Sequence, residues 1–355
     1  MRHYLLFFLL LTFVFIPTAC KRSSDQLPMA SGDLGSLVVV LEPELQPILK
    51  QQLEASFLKP VPHLPTAEPF FDLKLCKVDD FYKHFSTHRT ILVLLTQSHL
   101  DAYEDLTQSF KPEELQASMN KAQASLLSAR NIYAQHQHIV YLIGKDAADL
   151  QRKLVEARPQ LVSALMQYEL QDQHDELFSD TQVSLSNYQM IQKELGIGVK
   201  IPKAFSLKYH DNKTYWFEFN AMSSNTPKTI GLVVHAYPYA NLNALSYESI
   251  RTVRDTVMKH LIKGELPGTY MGTSSSLQYP STIIETIQLH GRTCKKVRGW
   301  WTIRGLSQAG PFVRYVVLDE PKQQLFVFEG FVYKPNIETK ERDLRLIESI
   351  ALSIE

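Results

Sequence analysis

The chain has 355 residues, 45% of them apolar and 21% charged, with 37 Lys plus Arg against 37 Asp plus Glu. That length accommodates two domains, and that apolar content fills a core of ordinary size. Balanced charge supplies no field that would draw the protein to nucleic acid, which is not expected as a partner.

Arg2 and His3 precede an apolar run over residues 4–16, interrupted by Thr12. Its 13 residues fall short of the roughly 20 that span a bilayer and suit the apolar region of a signal peptide. Pro17-Thr18-Ala19-Cys20 follows. A small residue directly before a cysteine, straight after the apolar run, resembles the cleavage box of bacterial lipoproteins. Pro17 departs from it, standing where that box carries an aliphatic residue. The resemblance implies removal of residues 1–19 and acylation of Cys20, palmitate included. Several acyl chains on one residue anchor firmly, where one chain is marginal. The alternative is a plain secretory signal with an incidental cysteine. Residues 20–36 are small and polar and form a tether from lipid to fold.

Residues 37–41 are a short apolar strand. A helix opened by Pro43 runs to about residue 57, with Leu45, Ile48, Leu49 and Leu53 at helical spacing. Residues 59–69 are Pro-rich and extended. Strands are expected at 70–78, 90–96 and 139–143, a short helix after Asp79, and helical composition at 112–128. Residues 37–145 thus form an N-terminal domain whose sheet carries helices on one face. Residues 146–196 read as a helical connector, kinked or restarted at Pro159. Its polar part, 167–181, is expected to stand partly clear of the core, and Gly196 caps its end. Residues 197–355 form the second domain. They read as a hairpin at 202–219, a strand at 229–237, a helix from Ser246, four strands between 283 and 333, and a closing amphipathic helix at 341–354. The last strands hold eight aromatics between Trp300 and Tyr333 and read as a core hairpin. The fold class is α+β: two α/β sandwich-like domains with mainly antiparallel sheets, joined by a long helical connector. The element order of the second half resembles the PsbP/Mog1-type sandwich, a likeness of fold that carries no function.

Candidate chemistry is sparse. Cys76 and Cys294 lie in apolar, strand-like contexts and read as buried free thiols, with a disulfide as the alternative in an oxidising envelope. His136 and His138 would share one face of a strand, but no third ligand can be named, and no metal site is expected. Ser274-Ser275-Ser276 and His235 lack a nucleophile elbow. Glu68, Glu218, Asp319 and Glu329 are the carboxylates available for glycan hydrolysis, which needs two of them about 5–9.5 Å apart. Glu329 interrupts an apolar strand and calls for a partner, Arg298 or Arg314. Trp300, Trp301, Tyr237, Tyr239 and Tyr270 would either line a sugar- or peptide-binding groove or fill the sandwich core. Gly196-Ile197-Gly198 is too short for a dinucleotide fingerprint, and no cofactor is expected.

A set of short motifs carries a wider resemblance. They are Leu64-Pro65-Thr66-Ala67-Glu68-Pro69, Arg89-Thr90-Ile91-Leu92, Gly196-Ile197 with Ile201-Pro202, and Tyr237-Pro238-Tyr239. Arg254-Asp255, Tyr270-Met271-Gly272-Thr273, Arg298-Gly299-Trp300-Trp301, Gly310-Pro311-Phe312 and Glu329-Gly330-Phe331-Val332-Tyr333 follow in order. Together they resemble the domain-of-unknown-function family 4837 of Bacteroidetes envelope lipoproteins. Thr302 departs from it, standing where the family carries an acidic residue. The resemblance implies an envelope lipoprotein and no particular activity. The reading is therefore a lipid-anchored envelope protein, on the outer membrane facing the periplasm. It acts as a non-catalytic binding or assembly module for an envelope protein or a small ligand. A hydrolase using Glu329 and Glu68 and a structural scaffold are the alternatives.

Overall fold

The computed structural model describes residues 27–58, 60, 61, 64, 68–178, 182–211, 213–223, 226–335 and 339–355. The apolar leader and Cys20 lie outside the described residues.

The first sheet is built from β1 (Ser36–Val40), β2 (Asp72–Cys76), β3 (Thr90–Thr96), β4 (Leu126–Arg130) and β5 (His138–Gly144), in the order β2-β1-β3-β5-β4. Antiparallel pairing dominates the molecule, but here three of four pairings are parallel; only β4 runs antiparallel, against β5. The strand composition explains this. β3 and β5 are buried at every position, the pattern of strands covered on both faces rather than one. Helices accordingly occupy both sides, where the sequence suggested one. On one side α1 (Gln46–Phe57) packs Leu49, Leu53 and Phe57 against Leu92 and Leu142. On the other lie α2 (Val78–Asp80) with the π turn Phe81–Phe85, α3 (Gln97–Ala102), α4 (Glu104–Thr107) and α5 (Pro112–Asn120). The helix expected over 112–128 ends at Asn120; residues 121–125 are irregular and β4 starts at Leu126.

The connector is α6 (Ala147–Leu177), 31 residues without a break, capped by the Asp146 side chain accepting from Asp149 N at 2.8 Å. Pro159 does not restart it as two elements. The missing N–H leaves the Val155 carbonyl without its helical donor, and Val155 is half exposed, where water can serve. The polar stretch does not stand clear either: Glu169, Asp172 and Gln173 are buried. After α6 comes α7 (Leu185–Leu195), capped by Ser184 and closed by Gly196 in the left-handed region at φ 81°.

The second sheet is antiparallel throughout. It contains β6 (Ser206–Asp211), β7 (Thr214–Ser223), β8 (Thr226–Pro238), β9 (Tyr270–Thr273), β10 (Ile283–Leu289), β11 (Arg292–Arg304), β12 (Ala309–Asp319) and β13 (Gln324–Tyr333). The order is β10-β11-β12-β13-β8-β7-β6, with β9 on the far end of β11. α8 (Tyr247–Leu261) covers one face, over Val233, Val316, Val327 and Phe331. α7 and α9 (Glu341–Ala351) cover the other, over Leu232, Val317, Phe326 and Phe328. Period-two alternation along β13 sends neighbours to opposite faces. Gly330 lets α9 approach: a Cβ there would lie 2.2 Å from Ile347 Cγ2.

α6 and α9 tie the sheets together. Glu169 on α6 accepts from Gly35 N at 3.0 Å, Thr90 Oγ1 at 3.1 Å and Arg345 Nη1 on α9 at 2.8 Å. Burial pushes the Glu169 carboxyl up and Arg345 opposes it. Glu68 accepts the Lys340 and Glu341 backbone N–H groups at 2.7 and 2.8 Å, holding the start of α9. Cys76 and Cys294 are both buried and free.

Candidate functional site

On β11, alternation places Lys296, Arg298 and Trp300 on the α9 face and Val297 and Trp301 on the α8 face. Glu348 of α9 meets both cations. Arg298 donates to its Oε1 through Nε at 2.9 Å and Nη2 at 2.6 Å, and Lys296 Nζ lies 2.9 Å away. Burial raises the Glu348 carboxyl, but Arg298 and Lys296 outweigh it and hold the group below its ordinary value. Burial likewise pulls Arg298 down, and Glu348 and Glu341 more than compensate.

These charges floor a cleft of about 1010 Å³ between the two sheets. One wall is a stripe of α6, Pro159, Val162, Met166 and Leu170, at helical spacing. Ile283 and Ile287 of β10 form the opposite wall, with Val61 and Phe70 contributing apolar surface from the first half of the chain. Arg158 borders it too, and its Nε is buried without a hydrogen-bond partner among the described residues.

A second charged cluster lies on the α8 face. Glu329 is fully buried. It accepts from Arg254 Nε at 2.9 Å and from Arg314 Nη1 at 2.8 Å. Arg314, and not Arg298, is the partner because hairpin register sets it directly opposite Glu329. Arg254 also donates to Thr273 Oγ1 at 3.0 Å and stacks on Phe312, 3.8 Å from the ring centre. Arg314 Nη2 lies 3.2 Å from His235 Nε2. A guanidinium only donates, so this nitrogen accepts and the imidazole carries its proton on Nδ1. Burial, with Arg314 adding to it, pushes His235 well below its usual range. The cluster is sealed beneath α8 and pairs its charges internally, the arrangement of a structural ion network.

The other sequence candidates are scattered. Trp300 stacks on Tyr279 at 4.9 Å on the α9 face, while Trp301 packs edge-on to Phe331 at 6.0 Å on the α8 face. Tyr237 and Tyr239 pack against the α8-side core with Trp301, and Tyr237 lies 5.8 Å from the His235 ring. Tyr270 carries Lys259 over its ring at 4.7 Å, beside a hollow of about 610 Å³. The five aromatics therefore do not form one groove. Glu68 sits at the start of α9 and Glu329 beneath α8, on opposite faces of the second sheet, so they cannot flank one glycosidic bond. Glu218 faces Lys208 at 3.6 Å, and Asp319 accepts from Gln324 at 3.0 Å. Ser275 and Ser276 are exposed while His235 is sealed, which leaves no nucleophile–base pair. His138 is buried against Asp172, Nε2 to Oδ1 at 3.1 Å, and stacks on Tyr168 at 4.3 Å. His136 lies before the strand at φ 58° and borders the same small hollow. Among the described residues no group of three or more His, Cys, Asp or Glu is placed to hold a metal.

The cleft was missed in the sequence. Its α6 stripe straddles Pro159 and runs into the polar stretch, which hides the period, and its opposite wall is more than a hundred residues away.

Residues 184–353 match the family described as "Domain of unknown function (DUF4837)". Residues 30–178 match another, "Domain of unknown function (DUF8532)". The motifs quoted after residue 184 thus fall in the family they suggested; those at 64–69 and 89–92 fall in the other match. No curated protein matches the sequence. Among solved structures, the Ran-binding protein Mog1p of Saccharomyces cerevisiae is similar over 45% of this chain and 89% of its own, at 9% identity and a TM-score of 0.28. LpqN, involved in cell envelope biogenesis of Mycobacterium tuberculosis, is similar over 44% and 79%, at 12% identity and a TM-score of 0.24.

Proposed function

We propose that this chain, whose residues 184–353 belong to the family described as a domain of unknown function (DUF4837), is a lipid-anchored envelope protein that holds a molecule in the cleft between its sheets. The observation that carries the reading is that cleft: about 1010 Å³, with apolar walls and a few converging charges. Concave, largely apolar space with a few placed polar groups is the usual form of a ligand site. Binding is favoured over hydrolysis because Glu68 and Glu329 lie on opposite faces of one sheet. Anchoring rests on the apolar leader followed by Cys20, with the outer membrane, periplasmic side, as the place.

The test is to purify the full chain from the membranes of its native cells, as wild type and as Ser163→Trp. Ser163 is exposed and borders the cleft, so the indole fills space without entering a core. Mass spectrometry of extracts should find a species retained by the wild type and lost from a variant of equal melting temperature. Identical extracts would refute the reading. Anchoring has a separate check: Cys20→Ser should shift the protein from the membrane to the soluble fraction.

A further inference from the structure

We infer that the occupant of the cleft is an amphiphile with a long apolar chain and one anionic head group, the head held by Arg158. This rests on the cleft being a binding site.

The walls select the chain. From Pro159 to Leu170 the α6 stripe extends about 16 Å, at 1.5 Å per helical residue. Ile283 and Ile287 face it across the space. Both walls are side-chain surfaces. Apart from the Val155 carbonyl opposite Pro159, the backbone of α6 is bonded within the helix. β10, the edge strand, is paired to β11 on one side and turns its side chains, not its free edge, to this space. A peptide lying across these side-chain faces, away from the free edge of β10, would find no backbone partners for its own N–H and C=O groups. An alkyl chain has none to satisfy and gains from every methylene buried.

The charges select the head. Arg158, Lys296 and Arg298 line the cleft against Glu285 and Glu348, three cations to two carboxylates, which leaves one positive charge in excess. Lys296 and Arg298 are both committed to Glu348. Arg158 differs: it lines the cleft, and among the described residues its guanidinium makes no hydrogen bond or ion pair. A cation lining an apolar cleft without a counter-charge calls for one from the occupant. A carboxylate or phosphate oxygen supplies the missing acceptor, and a guanidinium suits either in a two-point contact. A cationic head would repel the guanidinium, and a neutral one, though it could accept a hydrogen bond, would leave the excess positive charge unbalanced.

The full chain, reconstituted in phosphatidylcholine nanodiscs with empty discs as blank, would be titrated with dansyl-labelled dodecanoate. Saturable binding at one site per chain is expected, displaced by unlabelled dodecanoate or dodecyl phosphate and not by dodecyltrimethylammonium. Displacement by dodecanoate alone assigns a free carboxylate head; displacement by dodecyl phosphate alone assigns a phosphoester. Arg158→Gln should weaken binding about tenfold or more, the loss of one charge-assisted contact, and Ser163→Trp should abolish it. Displacement by the cationic amphiphile, or no effect of Arg158→Gln, overturns the head-group assignment. If the native extract shows a cleft-dependent species but dodecanoate does not bind, the ligand class is wrong and the cleft reading stands. If neither appears, both fall.

Discussion

Replacing Glu329 by Gln tests whether the charge under α8 is structural. The substitution keeps the shape of the side chain and removes its charge. The site is fully buried, and the carboxylate serves two arginines, Arg254 through Oε1 and Arg314 through Oε2. Gln can offer its carbonyl oxygen to only one of them. The other then faces an NH₂ group, donor against donor, and two guanidinium charges remain out of water with no counter-charge between them. Removing one partner of a buried ion pair costs about 3–5 kcal/mol, and here two pairs are broken. Against a total stability of about 5–15 kcal/mol, that is a large share. The expected fall in melting temperature is about 6–20 °C, at about 2–4 °C per kcal/mol for a domain of this size. Urea unfolding followed by tryptophan fluorescence suits the measurement, because Trp301 packs on Phe331, two positions along β13. A loss under about 1 kcal/mol with an unchanged m-value would refute the argument and return Glu329 to the list of functional candidates. A triple variant, Glu329→Leu with Arg254→Leu and Arg314→Met, should recover most of the loss, since an apolar replacement of a whole buried ion network is often neutral or stabilising. Binding in the cleft should survive wherever the fold does, because the cleft lies on the other face of the sheet.

His235 makes a pH prediction. Its folded-state pKa lies well below 6.5, so below pH 6.5 the unfolded chain takes up a proton that the folded one does not. Stability should therefore be intact above that pH and fall as pH drops, by up to about 1.4 kcal/mol per unit. His235→Gln, which keeps an acceptor for Arg314, should remove that slope; parallel wild-type and variant curves between pH 7 and 5 would refute it. Burial pushes the Cys76 and Cys294 thiols up to about 12, so neither should react with iodoacetamide at pH 8 until denaturant is added. Mass spectrometry showing alkylation at the native rate of a small free thiol would contradict the burial of either one.

What the sequence determined by itself was local. Buried strands announced themselves as unbroken apolar runs, as over residues 90–96, and the amphipathic period of residues 341–354 marked α9. The left-handed end of α7 is written in Gly196. The Arg314–Glu329 pair was within reach because the two strands are hairpin neighbours, so a short turn sets their register. The buried state of Cys76 and Cys294 followed from their apolar neighbours. Each of these rests on interactions spanning a few residues or one turn.

Everything that required choosing between distant partners was decided by tertiary structure. Trp300 and Trp301 are adjacent in the chain, and only the layers above and below β11 show that one packs toward α9 and the other toward α8. The polar face of α6 looked like a solvated surface. Glu169 is buried there because Gly35, Thr90 and Arg345, from three remote segments, converge on its carboxylate. The parallel order of the first sheet came from crossovers whose pairing no local pattern encodes. The cleft is the furthest such case. Residues 158–171 and 283–298 have no local reason to meet, and they do so because Arg345 and Ser349 of α9 dock its helix on α6 through Glu169 and Gln173. Periodicity says which face of an element avoids water; long-range packing decides which other element covers it, and where the cover is left open.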